Sequence, residues 1–237
     1  MERGTGVVEM RVAEIFRSKQ GEGRLTGTDS VFVRAAGCNL RCWYCDTPYA
    51  SWSPEGDDLP VDEIAARVAR FDCRHVVLTG GEPMLFAELI PLCAELRRQG
   101  RHITVETAGT LYLPVECDLM SISPKLASST PPPKDDSNWH RRHELNRHVP
   151  EVIRRLVSEH DYQLKFVVDR PEDCREVEEF LAEFPQIDRG RAMLMPQGTE
   201  AGELAEKARW LAPYCAEHDL VFCPRRQIEW YGSVRGT

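Results

Sequence analysis

Short apolar runs recur along the chain and alternate with longer stretches in which apolar residues return at every third or fourth position. The runs predict strands at Val8 to Phe16, Ser30 to Ala35, His75 to Thr79, His102 to Glu106, Leu119 to Ser123, Gln163 to Val168, Ala192 to Met195 and Leu220 to Cys223. The spaced stretches predict helices at Val61 to Arg70, Met84 to Gln99, Val149 to Glu159, Glu172 to Glu183 and Glu200 to His218. Strand and helix in alternation indicate a mostly parallel sheet. The segment Leu126 to Trp139 carries Ser-Ser-Thr-Pro-Pro-Pro-Lys-Asp-Asp-Ser-Asn, which sustains neither a helix nor a central strand and reads as an irregular internal loop. No repeat and no linker between balanced halves is visible. The expectation is therefore one domain over residues 1–237, an α/β fold of the incomplete (β/α) barrel kind, with functional residues where strands end and loops begin.

Composition narrows the functional classes. A chain of 237 residues is long enough for one such domain with a sizeable core. With 30 basic against 38 acidic residues the net charge is -8, which gives no general attraction for nucleic acid or an anionic membrane and favours a small-molecule substrate. The opening MERGTGVVEMRVAEIF lacks a basic segment followed by an apolar stretch, and no apolar run is long enough to span a bilayer, so a cytoplasmic protein is expected. Nine cysteines in such a chain point to metal or catalysis before disulfides. Cys73, Cys93, Cys117, Cys174, Cys215 and Cys223 are scattered and read as small buried hydrophobes.

The remaining three cysteines cluster. Cys38-Asn-Leu-Arg-Cys42-Trp-Tyr-Cys45 places three thiols in one loop, residues 37–49, directly after the strand that ends at Ala35. A structural zinc site needs a fourth ligand, usually from a second Cys/His pair, and none is evident downstream; a partial zinc knuckle is the competing reading. An iron-sulfur cubane held by three thiolates keeps one iron open for chemistry. Thr79-Gly80-Gly81-Glu82-Pro83 follows a short apolar strand and precedes a helix, so its glycines expose backbone at a strand's C-terminal end.

The Cys-x3-Cys-x2-Cys spacing resembles that of the radical S-adenosylmethionine superfamily, and the Gly-Gly-Glu-Pro segment resembles the superfamily motif that contacts the methionine amino group. Flanking segments narrow the likeness further. Glu14-Ile-Phe-Arg-Ser-Lys-Gln20-Gly21-Glu22-Gly23, Arg34-Ala-Ala-Gly37-Cys38, Asp46-Thr47-Pro48, Glu106-Thr107-Ala108-Gly109-Thr110, Ser123-Pro124-Lys125, Gln163-Leu-Lys165, Met195-Pro196-Gln197-Gly198 and Gly232-Ser-Val-Arg235-Gly236 together resemble the 7-carboxy-7-deazaguanine synthase family over nearly the whole chain.

That resemblance implies an enzyme of queuosine and other deazapurine pathways. Such an enzyme contracts the ring of 6-carboxy-5,6,7,8-tetrahydropterin to 7-carboxy-7-deazaguanine with loss of ammonia. It implies a [4Fe-4S] cluster on Cys38, Cys42 and Cys45, S-adenosyl-L-methionine, and Mg2+ at Thr47, an oxygen ligand suited to a hard cation. Arg34 would take the substrate carboxylate with its planar fork. Lys19, Gln20, Gly21 and Thr107 would also touch substrate. Gly80, Gly81, Glu82, Gly109, Ser123, Pro124, Lys125, Met195, Pro196, Gln197 and Gly198 would surround the S-adenosylmethionine, with backbone from Tyr44 through Cys45 to Asp46 meeting the adenine. An electron donor such as flavodoxin or ferredoxin and a homodimer follow from the same likeness.

Two positions depart from the family. Ala108 stands where the family has asparagine, and Gln227 where many relatives carry histidine; both could alter substrate orientation. Glu82 and Lys165 are secondary acid-base candidates. His140, His143 and His148, beside Trp139, read as the start of a solvated helix rather than a metal site. Two other readings stay open: another radical S-adenosylmethionine enzyme, such as a glycyl-radical activase, and a non-catalytic iron-sulfur carrier.

Overall fold

The computed structural model describes residues 9–133 and 138–237; Val8 of the first predicted strand and residues 134–137 of the predicted loop lie outside them. The described residues form a nine-stranded open sheet in the order β3-β1-β2-β4-β5-β6-β7-β8-β9. Its strands are β1 (Glu9–Lys19), β2 (Asp29–Ala35), β3 (Asp57–Pro60), β4 (His75–Gly80), β5 (His102–Thr107), β6 (Leu119–Ile122), β7 (Tyr162–Val168), β8 (Ala192–Pro196) and β9 (Val221–Phe222). From β2 to β9 every neighbouring pair is parallel, whereas β1 runs antiparallel to both β2 and β3.

Alternation along the strands explains why polar residues sit inside apolar runs. Successive side chains point to opposite faces. In β7, Leu164, Phe166 and Val168 enter the main core, while Lys165 and Val167 line a cavity on the other face. The same split separates Val31 and Val33 from Arg34 in β2, and Met120 and Ile122 from Ser121 in β6.

Helices cover the core face: α2 (Val61–Ala69), α3 (Leu89–Arg98), α5 (Pro150–Glu159), α6 (Pro171–Glu183) and α7 (Ala201–Glu217). Each buries an apolar stripe, such as Leu89, Leu92, Cys93 and Leu96 of α3. Three short helices stand apart from this pattern: α1 (Pro48–Ser51), α4 (Trp139–Asn146) and α8 (Arg226–Tyr231).

Besides the short helices α1 and α8, which the pattern did not predict, the structure departs from expectation in three places. The helix expected from Met84 starts as a single 3-10 turn at Pro83–Leu85, breaks at the extended Phe86, and resumes as α3. The break follows from Glu82, whose carboxylate accepts from Met84 N and caps that turn. Strand β3, Asp-Asp-Leu-Pro, was not expected, because aspartate and proline are poor strand residues. It is tolerated as the edge strand beside β1. The third departure is α4, which buries His143 completely where a solvated helix start was expected.

Candidate active site

The cavity, about 380 Å³, opens where β2, β4, β5, β6, β7 and β8 end, and the cysteine loop forms one wall. The foot of that loop is fixed by backbone bonds: Gly37 N donates to Ala50 O (2.8 Å), Gly81 N to Ala35 O (3.0 Å) and Glu82 N to Gly37 O (2.7 Å). These contacts explain Gly80-Gly81. Gly80 adopts φ +126°, and a side chain on Gly81 would run into the carbonyl oxygens of Gly37 and Ala50.

Cys38, Cys42 and Cys45 all line the cavity and are partly buried. Burial pushes the Cys38 thiol up to about 12 and the Cys42 thiol up to about 11, and the neighbouring sulfurs add to both shifts. A cationic centre would reverse this and favour thiolates. Among the described residues no three His, Cys, Asp or Glu side chains gather closely enough for a single ion. Three sulfurs lining one wall are suited to a multi-iron cluster, whose thiolates attach to separate irons.

Of the residues singled out in the sequence, the cavity also brings together Lys19, Gln20, Gly21, Arg34, Tyr44, Asp46, Thr47, Gly80, Gly81, Thr107, Ser123, Lys125, Lys165, Met195 and Gln197. Lys125 Nζ donates to Ser123 O (2.8 Å) and Oγ (2.7 Å). Gln197 is tied to Lys207, which donates to its backbone oxygen (2.7 Å) and Oε1 (2.9 Å).

Five other candidates do not line it: Glu82, Gly109, Pro124, Pro196 and Gly198. Gly109, at φ +72°, has no room for a side chain, since a Cβ there would run into Ile153 and Ile122. Pro196 ends β8 opposite Val168, and Gly198 O accepts from Arg225 (2.6 Å).

Both acid-base candidates are engaged by neighbouring side chains. Glu82 is fully buried, and its oxygens accept from Met84 N (3.0 Å), Thr107 Oγ1 (2.8 Å) and Ala108 N (2.8 Å). With its carboxyl used in this way, Glu82 ties the β4 end to the β5 end. Lys165 does line the cavity, but its Nζ pairs with Glu22 Oε2 (3.0 Å) and Glu106 Oε1 (3.2 Å). Burial opposes its charge, yet Glu106 and Glu22 outweigh it and raise its pKa above the usual lysine range. Its ammonium is held between two carboxylates.

Sequence reasoning gave no role to Glu22, Thr79, Glu106 and Arg225, which help to complete this ring. Arg225 donates to Glu22 Oε1 (3.2 Å) and also pairs with Asp46, and Gln227 Nε2 donates to Glu22 Oε1 (2.7 Å). Gln20 Nε2 and Thr79 Oγ1 donate to Glu106 (3.2 and 2.8 Å). Burial works against the Glu22 charge, but Lys165 and Arg225 hold its carboxyl down to about 2. The Oε1 of Gln227 is buried with no partner among the described residues. A visible signal was the placement of a charged residue, Glu106 or Lys165, beside buried apolar neighbours within a strand.

Comparison with known proteins is consistent with this geometry. The Radical SAM superfamily profile matches residues 32–126, which contain the cysteine loop and the Gly-Gly-Glu-Pro segment. The 7-carboxy-7-deazaguanine synthase of Rhodopirellula baltica is 44% identical over 227 residues, covering 95% of this chain and 88% of that protein. The one of Halobacterium salinarum is 44% identical over 236 residues, covering 95% and 92%. Among solved structures, QueE from Escherichia coli superposes with a TM-score of 0.69 at 23% identity, covering 92% of this chain and 94% of that one, a likeness of fold. Relatives of this identity, matched along nearly their full length, establish that the chain belongs to the 7-carboxy-7-deazaguanine synthase family of radical S-adenosylmethionine enzymes.

Proposed function

We propose that the chain is a carbon-nitrogen lyase that converts 6-carboxy-5,6,7,8-tetrahydropterin to 7-carboxy-7-deazaguanine and ammonia, in queuosine and related deazapurine biosynthesis. The observation that carries this reading is the joining, in one cavity, of the three-cysteine wall, Arg34 and the Glu22–Lys165–Glu106 ring.

The superfamily implies a [4Fe-4S] cluster and S-adenosylmethionine, which supply radical initiation when bound. In our reading Cys38, Cys42 and Cys45 hold the cluster. Gly80, Gly81, Ser123, Lys125 and the Met195–Gly198 segment surround S-adenosylmethionine, with the Tyr44–Asp46 backbone at its adenine. Glu82, Gly109, Pro124 and Pro196 shape that wall from behind.

The substrate has two ends, and the cavity offers chemistry for each. Arg34 spends its Nε on Glu14 (2.6 Å), so its terminal nitrogens, unpartnered among the described residues, suit a carboxylate. The pterin's amide and amino edge presents N–H donors. Lys165 and Arg225 keep Glu22 ionised and therefore able only to accept. Gln227 Oε1 is likewise an acceptor, oriented because its NH2 is committed to Glu22. Glu22, Glu106 and Gln227 thus match a donor-rich edge, with Lys19, Gln20, Gly21 and Thr107 beside them.

Thr47, which lines the same cavity, offers a hydroxyl oxygen for Mg2+. Family resemblance adds a flavodoxin- or ferredoxin-type electron donor and a homodimer. No helix among the described residues is long and apolar enough to cross a membrane.

The test is an anaerobic reaction with reductant, S-adenosylmethionine, Mg2+ and the carboxylated tetrahydropterin, followed by mass spectrometry. The expected products are 7-carboxy-7-deazaguanine and ammonia. Abundant 5′-deoxyadenosine with no deazaguanine would overturn the substrate and leave the superfamily standing.

A further inference from the structure

His143 is the one histidine of α4 with no exposure to solvent, and both its ring nitrogens are engaged. Arg41 N, in the middle of the cysteine loop, donates to His143 Nδ1 (3.1 Å). Nδ1 therefore carries no proton, and Nε2 carries the hydrogen shared with Ser129 Oγ (2.8 Å). Ser129 Oγ donates in turn to Leu126 O (2.6 Å). Burial holds the imidazole down to about 4, in agreement with a neutral ring that has one acceptor and one donor.

The segment reached through Ser129 is the continuation of Ser123-Pro124-Lys125, the stretch assigned above to the adenosyl group. It returns to the cysteine loop by a second route, because Trp43 N donates to Ser129 O (3.1 Å) and Trp43 Nε1 to Ser128 O (2.7 Å). Helix α4 grips both partners as well. Arg147 donates to Lys125 O (3.2 Å), and the Arg41 guanidinium lies 4.1 Å over the Trp139 ring.

We propose that His143 is a positioning residue that locks the Arg41–Trp43 part of the cysteine loop to the Ser123–Ser129 segment, so that cluster wall and adenosyl site keep one fixed relation. The proposal rests on the assignment of Cys38, Cys42 and Cys45 to the cluster and of Ser123 and Lys125 to S-adenosylmethionine. Without the imidazole, the Arg41 N–H loses its acceptor and the Ser129 hydroxyl keeps only its bond to Leu126 O, so local opening of both segments should rise about tenfold.

The test compares His143→Leu, which removes both contacts, with His143→Gln, which keeps an acceptor and a donor. In iron-free protein, amide hydrogen exchange of His143→Leu should rise about tenfold in peptides covering both 39–45 and 123–130, with β7 and β8 unchanged. In reconstituted protein the KM for S-adenosylmethionine should rise more than kcat falls, and the change that S-adenosylmethionine makes in the reduced cluster's EPR spectrum should weaken. His143→Gln should restore both. Ser129→Ala gives a milder form of the same exchange pattern and replaces His143→Leu should that variant not fold. Unchanged exchange in both segments, or a rise in only one of them, overturns the proposal. Because exchange is read without iron, that result is separate from a failure of the cluster assignment, which an iron-loaded Cys42→Ala protein would reveal.

Discussion

Arg34 and Glu14 face each other across the antiparallel pair of β1 and β2, and Arg34 Nε donates to Glu14 Oε1 at 2.6 Å. Tyr49 Oη donates to the same oxygen (2.9 Å), while Arg235 reaches the other (3.3 Å). Burial opposes the Glu14 charge, but the Arg34 and Tyr49 hydrogen bonds prevail and lower its pKa. Glu14 thus holds the guanidinium through Nε, and the terminal nitrogens have no partner among the described residues; on the role proposed for Arg34, a carboxylate-binding fork is then in place before substrate arrives.

Arg34→Lys should therefore raise the KM for the carboxylated pterin by one to two orders of magnitude and change kcat less, since a point charge replaces a bidentate fork. Glu14→Gln keeps the shape and loses the charge, and should give a smaller rise in the same direction. Steady-state kinetics over substrate concentration check both. Wild-type KM values in the two variants would remove Arg34 from the substrate site.

Each of Cys38→Ala, Cys42→Ala and Cys45→Ala should lose iron and turnover, because two thiolates do not hold a cluster with a defined open iron. Alanine at Cys73, Cys93, Cys174, Cys215 or Cys223, all buried, should keep the iron content and cost on the order of 1 kcal/mol in packing. Iron and sulfide counts with visible absorption on anaerobically prepared variants decide between the two groups.

Thr47→Ala should lower activity at limiting Mg2+ and recover at saturating Mg2+, since one oxygen ligand among several is lost. A Mg2+ titration identical to wild type would place the ion elsewhere.

Gly81→Ala should be far more damaging than its size suggests. The new methyl would meet the Gly37 and Ala50 carbonyl oxygens, both backbone, so the foot of the cysteine loop must shift. Loss of several kcal/mol and poor iron loading are expected. Gly202→Ala, near the start of α7 with nothing within contact distance, is the control: neutral, or stabilising by up to about 1 kcal/mol. Equal melting temperatures for the two variants would contradict this account.

Much of this architecture was legible in the chain because hydrophobic periodicity is a local property. The parallel strands and the five covering helices follow from it, and the cysteine spacing marks its own loop. What escaped depends on distance in space. His143 looked solvated because α4 is polar almost all round; its partners, Arg41 and Ser129, come from two other loops. Lys165 looked like a possible base because its anions stand 143 and 59 residues away along the chain. Glu82 looked catalytic inside its motif, yet the donors that consume it come partly from β5 and the loop beyond it. Periodicity reports which face a residue occupies, and only the fold reports which charges meet there.

That meeting gives the last prediction. Replacing Lys165 by methionine keeps the bulk but leaves Glu22 and Glu106 buried without their shared ammonium, a change of about 3–5 kcal/mol at neutral pH by the usual cost of breaking a buried pair. The pH dependence has a definite sign. Glu22 has its folded pKa depressed from 4.5 to about 2, so its contribution is complete above 4.5 and disappears as the pH falls toward about 2. In Lys165→Met the depression is smaller, because only Arg225 and the Gln227 hydrogen bond remain to lower it, and less stability is left to lose on acidification. The gap between wild type and variant should therefore narrow as the pH drops through that window. Urea unfolding of both proteins at a series of pH values measures it. A gap that stays constant from neutral pH down through this range would mean that Lys165 does not hold Glu22 ionised, and that the acceptor-only character proposed for this ring has another source.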